Sequence, residues 1–222
     1  KTLGLLKAYK YPRASAHIKE MIAMIKKLLG RGLAYEVNGS IYFDVEKFAS
    51  YGRLSGNSLE DLKTRVRNEV KEIAGKRHPY DFALWISNPS HLMQWNSPWG
   101  KGYPGWHIEC SAMSMKYLGE QIDIHTGGED NKFPHHECEI AQSQGATGKQ
   151  FVRYWLHAKH LLVDGKKMSK SLGNFYTLKD LLDKNVDSRA VRLALLGAHY
   201  RETLNFSFES LHASQEIIKK WD

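Results

Sequence analysis

The sequence predicts an α/β protein with a parallel sheet, because short apolar strands alternate with helices along its second half. Strands are predicted at residues 81–85, 122–125 and 160–163 from apolar runs and from alternation. Helices are predicted from His107 to about Leu118 and again near Pro134, a residue that suits a first helical turn. Ligands of such sheets bind at the carboxyl ends of the strands, so the loops there are the first candidates for a site.

The first third of the sequence predicts a smaller α+β region. Apolar residues recur every three or four positions over residues 14–30, which predicts an amphipathic helix with Ser15 as its N-cap. Two short apolar segments, 35–37 and 41–43, flank Asn38–Gly39, and this pattern is typical of a β-hairpin. No chemistry of nucleotides is indicated in this part of the chain.

Other segments give weaker signals. Residues 58–76 are polar and predict a surface helix or loop, and residues 95–105 predict a loop rich in Trp, Pro and Gly. Two final helices are predicted at residues 187–197 and 207–220.

The composition favours an anionic partner. The chain has 222 residues, a formal net charge of +8 and a pI of about 9.3, and nucleic acid is the first candidate, although an ordinary basic protein remains open. Two cysteines argue against a disulfide scaffold, and apolar runs such as Leu161–Val163 are too short to span a membrane. We therefore expect a cytoplasmic protein without a membrane partner. The start at Lys1, without methionine, leads us to expect a fragment or a trimmed domain.

The most informative motif is the loop Lys167–Ser171, in which two lysines and two serines surround one methionine and Leu172–Asn174 follows. Lysine ammonium groups and serine hydroxyls are suitable donors to phosphate oxygens. A basic loop of this kind is also common on solvated surfaces, so the composition alone leaves both interpretations open.

A second motif predicts a metal site. His135 and Glu139 are four residues apart and would share one face of a helix, while Cys110 lies near the start of the preceding helix. Sulfur, nitrogen and oxygen ligands together suit zinc. The alternatives are a solvated polar helix face and a buried thiol. Cys138 is interpreted as a core thiol.

Taken together, five segments resemble the cysteinyl-tRNA synthetase family of class I aminoacyl-tRNA synthetases, in the family's own order. These segments are Gly105–Met113, Asp123–Asp130, Phe133–Ser143, Lys167–Asn174 and His199–Ser207. The string Lys167–Ser171 is similar to the KMSKS signature of class I enzymes. The resemblance implies ATP-dependent activation of cysteine as cysteinyl adenylate, and its transfer to tRNA(Cys).

The resemblance also implies roles for individual residues. Zinc would bind the substrate thiolate and be held by Cys110, His135 and Glu139, with a further cysteine from an N-terminal segment. Trp106 and His135 would line the cysteine pocket. ATP, with magnesium, would contact Lys170, Gly127, Gly128 and Asp130, and Lys167 would assist Lys170 as a catalytic residue.

One departure from the family pattern stands out, because the chain has no His-Ile-Gly-His signature. We therefore expect residues 1–79 to be a connective insertion and residues 80–165 to be the second half of a Rossmann-like catalytic domain with the zinc site. Residues 166–222 would hold the KMSKS loop and a helical region that contacts the tRNA stem. Such a chain would carry part of an active site, be inactive alone and be monomeric.

Three other functions remain open from the sequence. A cysteine:glucosaminyl inositol ligase would share the zinc and ATP sites but use another acceptor. A non-catalytic RNA-binding paralogue would keep the basic charge. A zinc hydrolase would leave the lysine–serine loop unexplained, and the expected His-Glu-x-x-His motif is absent.

Overall fold

The computed structural model describes residues 2–58, 60–61 and 75–222. The described chain forms two compact units, one of residues 12–156 and one of residues 1–11 with 157–222. Most of the predicted surface segment 58–76 lies outside the described residues. Within the described parts, no helix is both long and apolar enough to cross a membrane.

The larger unit begins with the predicted amphipathic helix, α1 (Ile18–Gly30). Met21, Ile25 and Leu28 are fully buried on one face of α1, as the spacing predicts. The N-cap residue is His17, after a short 3₁₀ turn at Ala14–Ala16, so the prediction of Ser15 as N-cap is wrong. The His17 imidazole hydrogen-bonds the Arg13 carbonyl at 2.7 Å and the Tyr117 hydroxyl at 2.7 Å, which fixes the start of α1.

The predicted hairpin is confirmed as β1 (Ala34–Val37) and β2 (Ser40–Phe43), which pair antiparallel. Asn38 and Gly39 both have positive φ, 50° and 78°, the backbone that a two-residue turn of this kind requires.

This hairpin is part of a five-stranded sheet in the order β1-β2-β3-β5-β4, with β3 (Phe82–Ile86), β4 (Trp95–Ser97) and β5 (Gly100–Pro104). The strand predicted at 81–85 is therefore present, but it pairs antiparallel with β2 and β5 and departs from the predicted parallel sheet. The predicted loop at 95–105 is wrong, because β4 and β5 form a hairpin there. The sheet contains strands from both sides of residue 79, where the sequence predicted a change of domain.

Two helices pack beside this sheet and carry most of the candidate site. Helix α2 (Trp106–Leu118) follows β5 directly, and α3 (His135–Thr147) follows β6 (Ile122–Gly128) through a short 3₁₀ turn. Helix α3 ends at Gly148, whose φ of 77° provides the left-handed C-cap that glycine adopts readily. Strand β7 (Val152–Ala158), which the sequence did not predict, joins β6 in a two-stranded sheet.

The second unit combines a three-stranded sheet with three helices. Strands β8 (Leu161–Val163) and β10 (Leu204–Phe206) are parallel, and β9 (Lys166–Lys167) pairs antiparallel with β8. Helices α4 (Leu178–Asp183), α5 (Ser188–Leu195) and α6 (Phe208–Trp221) follow, and the last two confirm the predicted final helices. The α/β class predicted from the sequence is confirmed.

The close contact of β3 with β5 gives a testable consequence for stability. A Cβ at Gly102 would lie 2.3 Å from the Ile86 carbonyl oxygen and 2.5 Å from Nε1 of the buried Trp85. We expect Gly102→Ala to lower the free energy of unfolding by about 1–3 kcal/mol, because this overpacking forces backbone to move. Gly30→Ala is the control, since nothing lies within 4 Å of its Cβ position. Urea denaturation that gives equal midpoints for both variants would contradict this account.

Candidate metal centre and phosphate loop

The candidate metal centre is built around Glu139 on α3. Its side chain is fully buried, and its two carboxylate oxygens lie 2.9 Å from His135 Nε2 and 3.2 Å from His125 Nε2. Burial alone would raise the pKa of Glu139, but the imidazoles of His125 and His135 outweigh this effect and lower the pKa. Neither oxygen has a hydrogen bond of good geometry, so the carboxylate is left under-satisfied.

The structure brings the three predicted ligands together. Ligand atoms of Cys110, His135 and Glu139 all lie within 4.8 Å of one another. His135 and Glu139 are one turn apart on α3, and Cys110 comes from the first turns of α2, which packs against α3. Burial, with the carboxylates of Glu139 and Glu109 nearby, raises the pKa of the Cys110 thiol to about 12. A bound cation would reverse this effect, since metals favour the thiolate.

Two histidines extend the cluster beyond the sequence prediction. His125 on β6 and His136 on α3 form a second group with Glu139, again within 4.8 Å. The sequence offered a signal for His125, which lies two residues before Gly127 at the end of a predicted strand. His136 lies three residues before Glu139 on α3, a spacing that also places two side chains on one helix face, so the sequence carried a signal for this pair that was missed.

The entrance to the cluster is formed by the start of α2. Trp106 is 62% exposed, and its ring stacks on His135 at a centroid distance of 4.2 Å. At this exposure Trp106 is not part of the hydrophobic core of the described chain. His107 Nδ1 lies 2.6 Å from His135 Nδ1, and burial, with the neighbouring His135, lowers the pKa of His107 to about 4.

The glycines proposed to approach ATP lie at the carboxyl end of β6, as predicted. A Cβ on Gly127 would meet His136 Cε1 at 2.8 Å, so this glycine is already required by the packing of the histidine cluster. A Cβ on Gly128 would lie 2.4 Å from Oδ1 of Asp130, whose exposed side chain turns back over the strand end. At this strand end Asp130 is exposed, and Gly127 and Gly128 are half-buried.

The lysine–serine loop lies in the smaller unit, directly after the β8–β9 hairpin. Asn174 holds the loop in shape, because its Oδ1 accepts from the Ser169 amide at 2.8 Å and its Nδ2 donates to the Lys167 carbonyl at 3.1 Å. The ammonium of Lys170 lies 5.5 Å from the centroid of the Phe175 ring. Among the described residues no carboxylate pairs with Lys170, so its charge is available to an anion.

Comparison with known proteins gives the class of the protein. The sequence profile for "tRNA synthetases class I (C) catalytic domain" matches residues 1–216 of the chain. The chain therefore belongs to this family of class I tRNA synthetase catalytic domains.

Curated relatives of the chain are more specific. The chain is 52% identical to the Cysteine--tRNA ligase of Chlorobaculum tepidum over 98% of its own length and 45% of the relative's. It is 54% identical to the Cysteine--tRNA ligase of Geotalea uraniireducens, over 98% of the chain and 44% of the relative. The chain thus spans less than half the length of the relatives that it matches.

A solved structure supports the fold assignment. The Mycobacterium tuberculosis methionyl-tRNA synthetase in complex with methionyl-adenylate matches 96% of this chain and 52% of its own chain, with a TM-score of 0.65. The sequence identity is 13%, so this likeness shows a shared fold.

Proposed function

We propose that the full-length protein containing this chain is a cysteine–tRNA ligase, which activates cysteine with ATP as cysteinyl adenylate and transfers it to tRNA(Cys). The observation that carries this proposal is the grouping of Cys110, His135 and Glu139 in a chain of the class I synthetase family. The identity to curated Cysteine--tRNA ligases supports the choice of amino acid.

The donor set fits zinc. Glu139 is a fully buried carboxylate whose oxygens lack hydrogen bonds of good geometry, and a cation would satisfy them. Cysteine sulfur, histidine nitrogen and carboxylate oxygen are common zinc ligands, and three protein ligands leave a position for substrate. We propose Cys110, His135 and Glu139 as the ligands. When bound, zinc would supply affinity for a thiolate over a hydroxyl, which a purely steric pocket does poorly.

The surrounding side chains shape the amino-acid pocket. Trp106 stacks on His135 and so covers the candidate ligand from the solvent side. The low pKa of His107 keeps its imidazole neutral at pH 7, so this residue adds no positive charge beside the pocket. We propose that Trp106 and His135 orient the cysteine side chain and exclude water from it.

ATP is the second substrate, and the proposed contacts are electrostatic. Adenylate formation is an in-line attack of a carboxylate on the α-phosphate, so catalysis rests on positioning and on neutralising the developing charge. Lys170, assisted by Lys167, would neutralise the phosphates, which carry magnesium in solution. Gly127 and Gly128 would let the nucleotide approach the backbone, and the exposed Asp130 would accept from ribose hydroxyls.

The net charge of +8 agrees with tRNA as the final acceptor. Because the chain spans about 45% of a relative's length, the remaining parts of the active site would come from the rest of the protein. A monomeric state and a cytoplasmic location stay predictions.

The proposal is tested by amino-acid-dependent exchange of pyrophosphate into ATP, with zinc-replete full-length protein. We expect exchange with cysteine and little exchange with serine at the same concentration. Equal exchange with both amino acids would contradict the role assigned to the metal centre, and no exchange with cysteine would contradict the proposed function.

The hydrogen bonds of the Asn174 side chain to the lysine–serine loop give a further prediction. Asn174→Ala removes two hydrogen bonds that shape the lysine–serine loop, each worth about 0.5–1.5 kcal/mol. We expect kcat/KM for ATP in the exchange reaction to fall by about tenfold or more, with the KM for cysteine unchanged. Asn174→Asp keeps the acceptor oxygen, and its kcat/KM for ATP should lie between the values of the unaltered protein and of Asn174→Ala. A variant that loses thermal stability but exchanges ATP normally would show that Asn174 serves folding alone.

A further inference from the structure

The two carboxylate oxygens of Glu139 face different imidazoles. Oε1 lies 2.9 Å from Nε2 of His135, one turn earlier on α3, and Oε2 lies 3.2 Å from Nε2 of His125 on β6. The zinc site proposed above uses His135 and Glu139, but it does not specify which carboxylate oxygen faces the metal or what contacts the other. The positions of the two imidazoles distinguish these oxygens.

Oε1 lies on the side of the carboxylate that faces the proposed ligands. Ligand atoms of Cys110, His135 and Glu139 lie within 4.8 Å of one another, and the imidazole close to Oε1 is that of His135. A cation bound by this group would therefore satisfy Oε1. It would leave Oε2 on a side chain that is 0% exposed, where an acceptor without a donor is costly.

Nε2 of His125 is in position to donate to Oε2. The N···O distance of 3.2 Å is within the range of hydrogen bonds, although the contact lacks good hydrogen-bond geometry. A neutral imidazole with its proton on Nε2 is a donor at this place, so a small rotation of either side chain completes the bond.

Packing holds the His125 ring in place. Its side chain is 19% exposed, and its ring meets the Trp155 ring at a centroid distance of 4.9 Å and the His136 ring at 4.7 Å, both edge to face. Trp155 comes from β7, the strand that pairs with β6, so the pairing of these strands sets the position of the imidazole. A donor fixed in this way loses little conformational freedom when it binds the carboxylate.

His125 stands outside the group of proposed ligands. Atoms bound to one zinc ion at about 2.0–2.3 Å are at most about 4.6 Å apart. Among the described residues, the group of Cys110, His135 and Glu139 within 4.8 Å does not extend to His125, which groups with His136 and Glu139. The structure therefore places His125 beside a ligand of the ion and outside its coordination sphere.

We propose that His125 is a positioning residue of the metal centre, which donates from Nε2 to Oε2 of Glu139 and so directs Oε1 toward the zinc. The inference rests on the proposed function, because Glu139 is a ligand only if the centre binds zinc. A ligand held by an outer hydrogen-bond partner keeps one orientation, and loss of such a partner typically lowers metal affinity by about 10–100-fold. His125 therefore acts on the substrate thiol through the ligand that it holds.

Two variants of the full-length protein separate donation from packing. His125→Phe keeps an aromatic ring against Trp155 but removes the donor, whereas His125→Gln places an amide donor at about the reach of Nε2. Zinc affinity is measured by competition with a chelator of known affinity. We expect His125→Phe to raise the Kd for zinc by about 10–100-fold and His125→Gln to recover most of this loss. His212→Phe, at an exposed histidine on α6, is the matched control and should leave the Kd unchanged.

Cobalt in place of zinc gives a readout that a loss of stability does not imitate. We expect the His125→Phe variant to keep the charge-transfer band of a cobalt–thiolate bond, because Cys110 remains a ligand. The d–d bands of the cobalt should shift, because the carboxylate of Glu139 is no longer held in one orientation.

An unchanged Kd for zinc, or unchanged d–d bands, in His125→Phe would overturn the proposal. Equal loss of zinc in both His125 variants would also overturn it, since glutamine keeps the donor but is a poor replacement for an imidazole ligand. The proposed function fails separately, if the unaltered protein binds zinc but shows no cysteine-dependent exchange.

Discussion

Replacing Lys170 with alanine in the full-length protein should slow the formation of cysteinyl adenylate by about a hundredfold to a thousandfold, the cost of removing one transition-state donor. The Lys170 ammonium lies in a loop shaped by Asn174 and has no carboxylate partner among the described residues, so its charge is free to face the phosphates. We expect Lys170→Ala to lower kcat, because the charge on the phosphates develops in the transition state. Single-turnover measurement of adenylate formation, with cysteine binding followed separately, checks this expectation.

Lys179→Ala is a suitable control, because Lys179 is an exposed lysine on α4 a few residues further along the chain. It removes the same charge and should leave both rates unchanged. If Lys170→Ala weakened cysteine binding as much as it slowed adenylate formation, the transition-state role would be contradicted.

The second large effect is expected at Cys110. Cys110→Ala removes the sulfur ligand of the proposed centre, and we expect the full-length protein to lose most of its zinc. Even the loss of an outer-shell partner typically costs about 10–100-fold in metal affinity, and the loss of a ligand costs at least as much. The KM for cysteine should rise accordingly, and the preference for cysteine over serine should fall. Zinc content by elemental analysis and exchange kinetics with both amino acids measure these changes.

The chain provides its own matched control, since Cys138 is its other cysteine. Cys138 is fully buried in the core, contacts the Tyr51 hydroxyl and has a raised pKa because burial disfavours the thiolate. Cys138→Ala should cost stability but retain zinc and cysteine selectivity. If both cysteine variants retained zinc equally, Cys110 would have no role as a ligand.

Local patterns predicted much of the fold. The period of apolar residues placed α1, and the pair Asn38–Gly39 placed the hairpin turn, because both signals depend on neighbours in the sequence. The pairing of β3 with the hairpin depends on contacts between distant segments, and no local signal carries it. The strands β4 and β5 were also missed, since Pro and Gly in residues 95–105 resemble a loop although the chain forms a hairpin there.

The candidate site also combines features that the local sequence predicts with features that depend on contacts between distant segments. The spacing of His135 and Glu139 on one helix face was enough to predict their proximity, and the structure places Cys110 beside them. The proximity of His125, His136 and Trp155 depends on how β6 and β7 pack on α3, so the sequence could not predict it. Nor could it predict that Asn174 would clamp the lysine–serine loop through bonds on both sides of Met168.

The most direct test of the account is the transfer of labelled cysteine onto tRNA by the zinc-replete full-length protein, with unlabelled serine as competitor. The account predicts stable charging with cysteine that is unaffected by excess serine. Charging should be at least about a hundredfold slower in the Lys170→Ala variant, and weaker and sensitive to serine in the Cys110→Ala variant. Formation of cysteinyl adenylate without any transfer to tRNA would contradict it, and would indicate a ligase that uses a different acceptor.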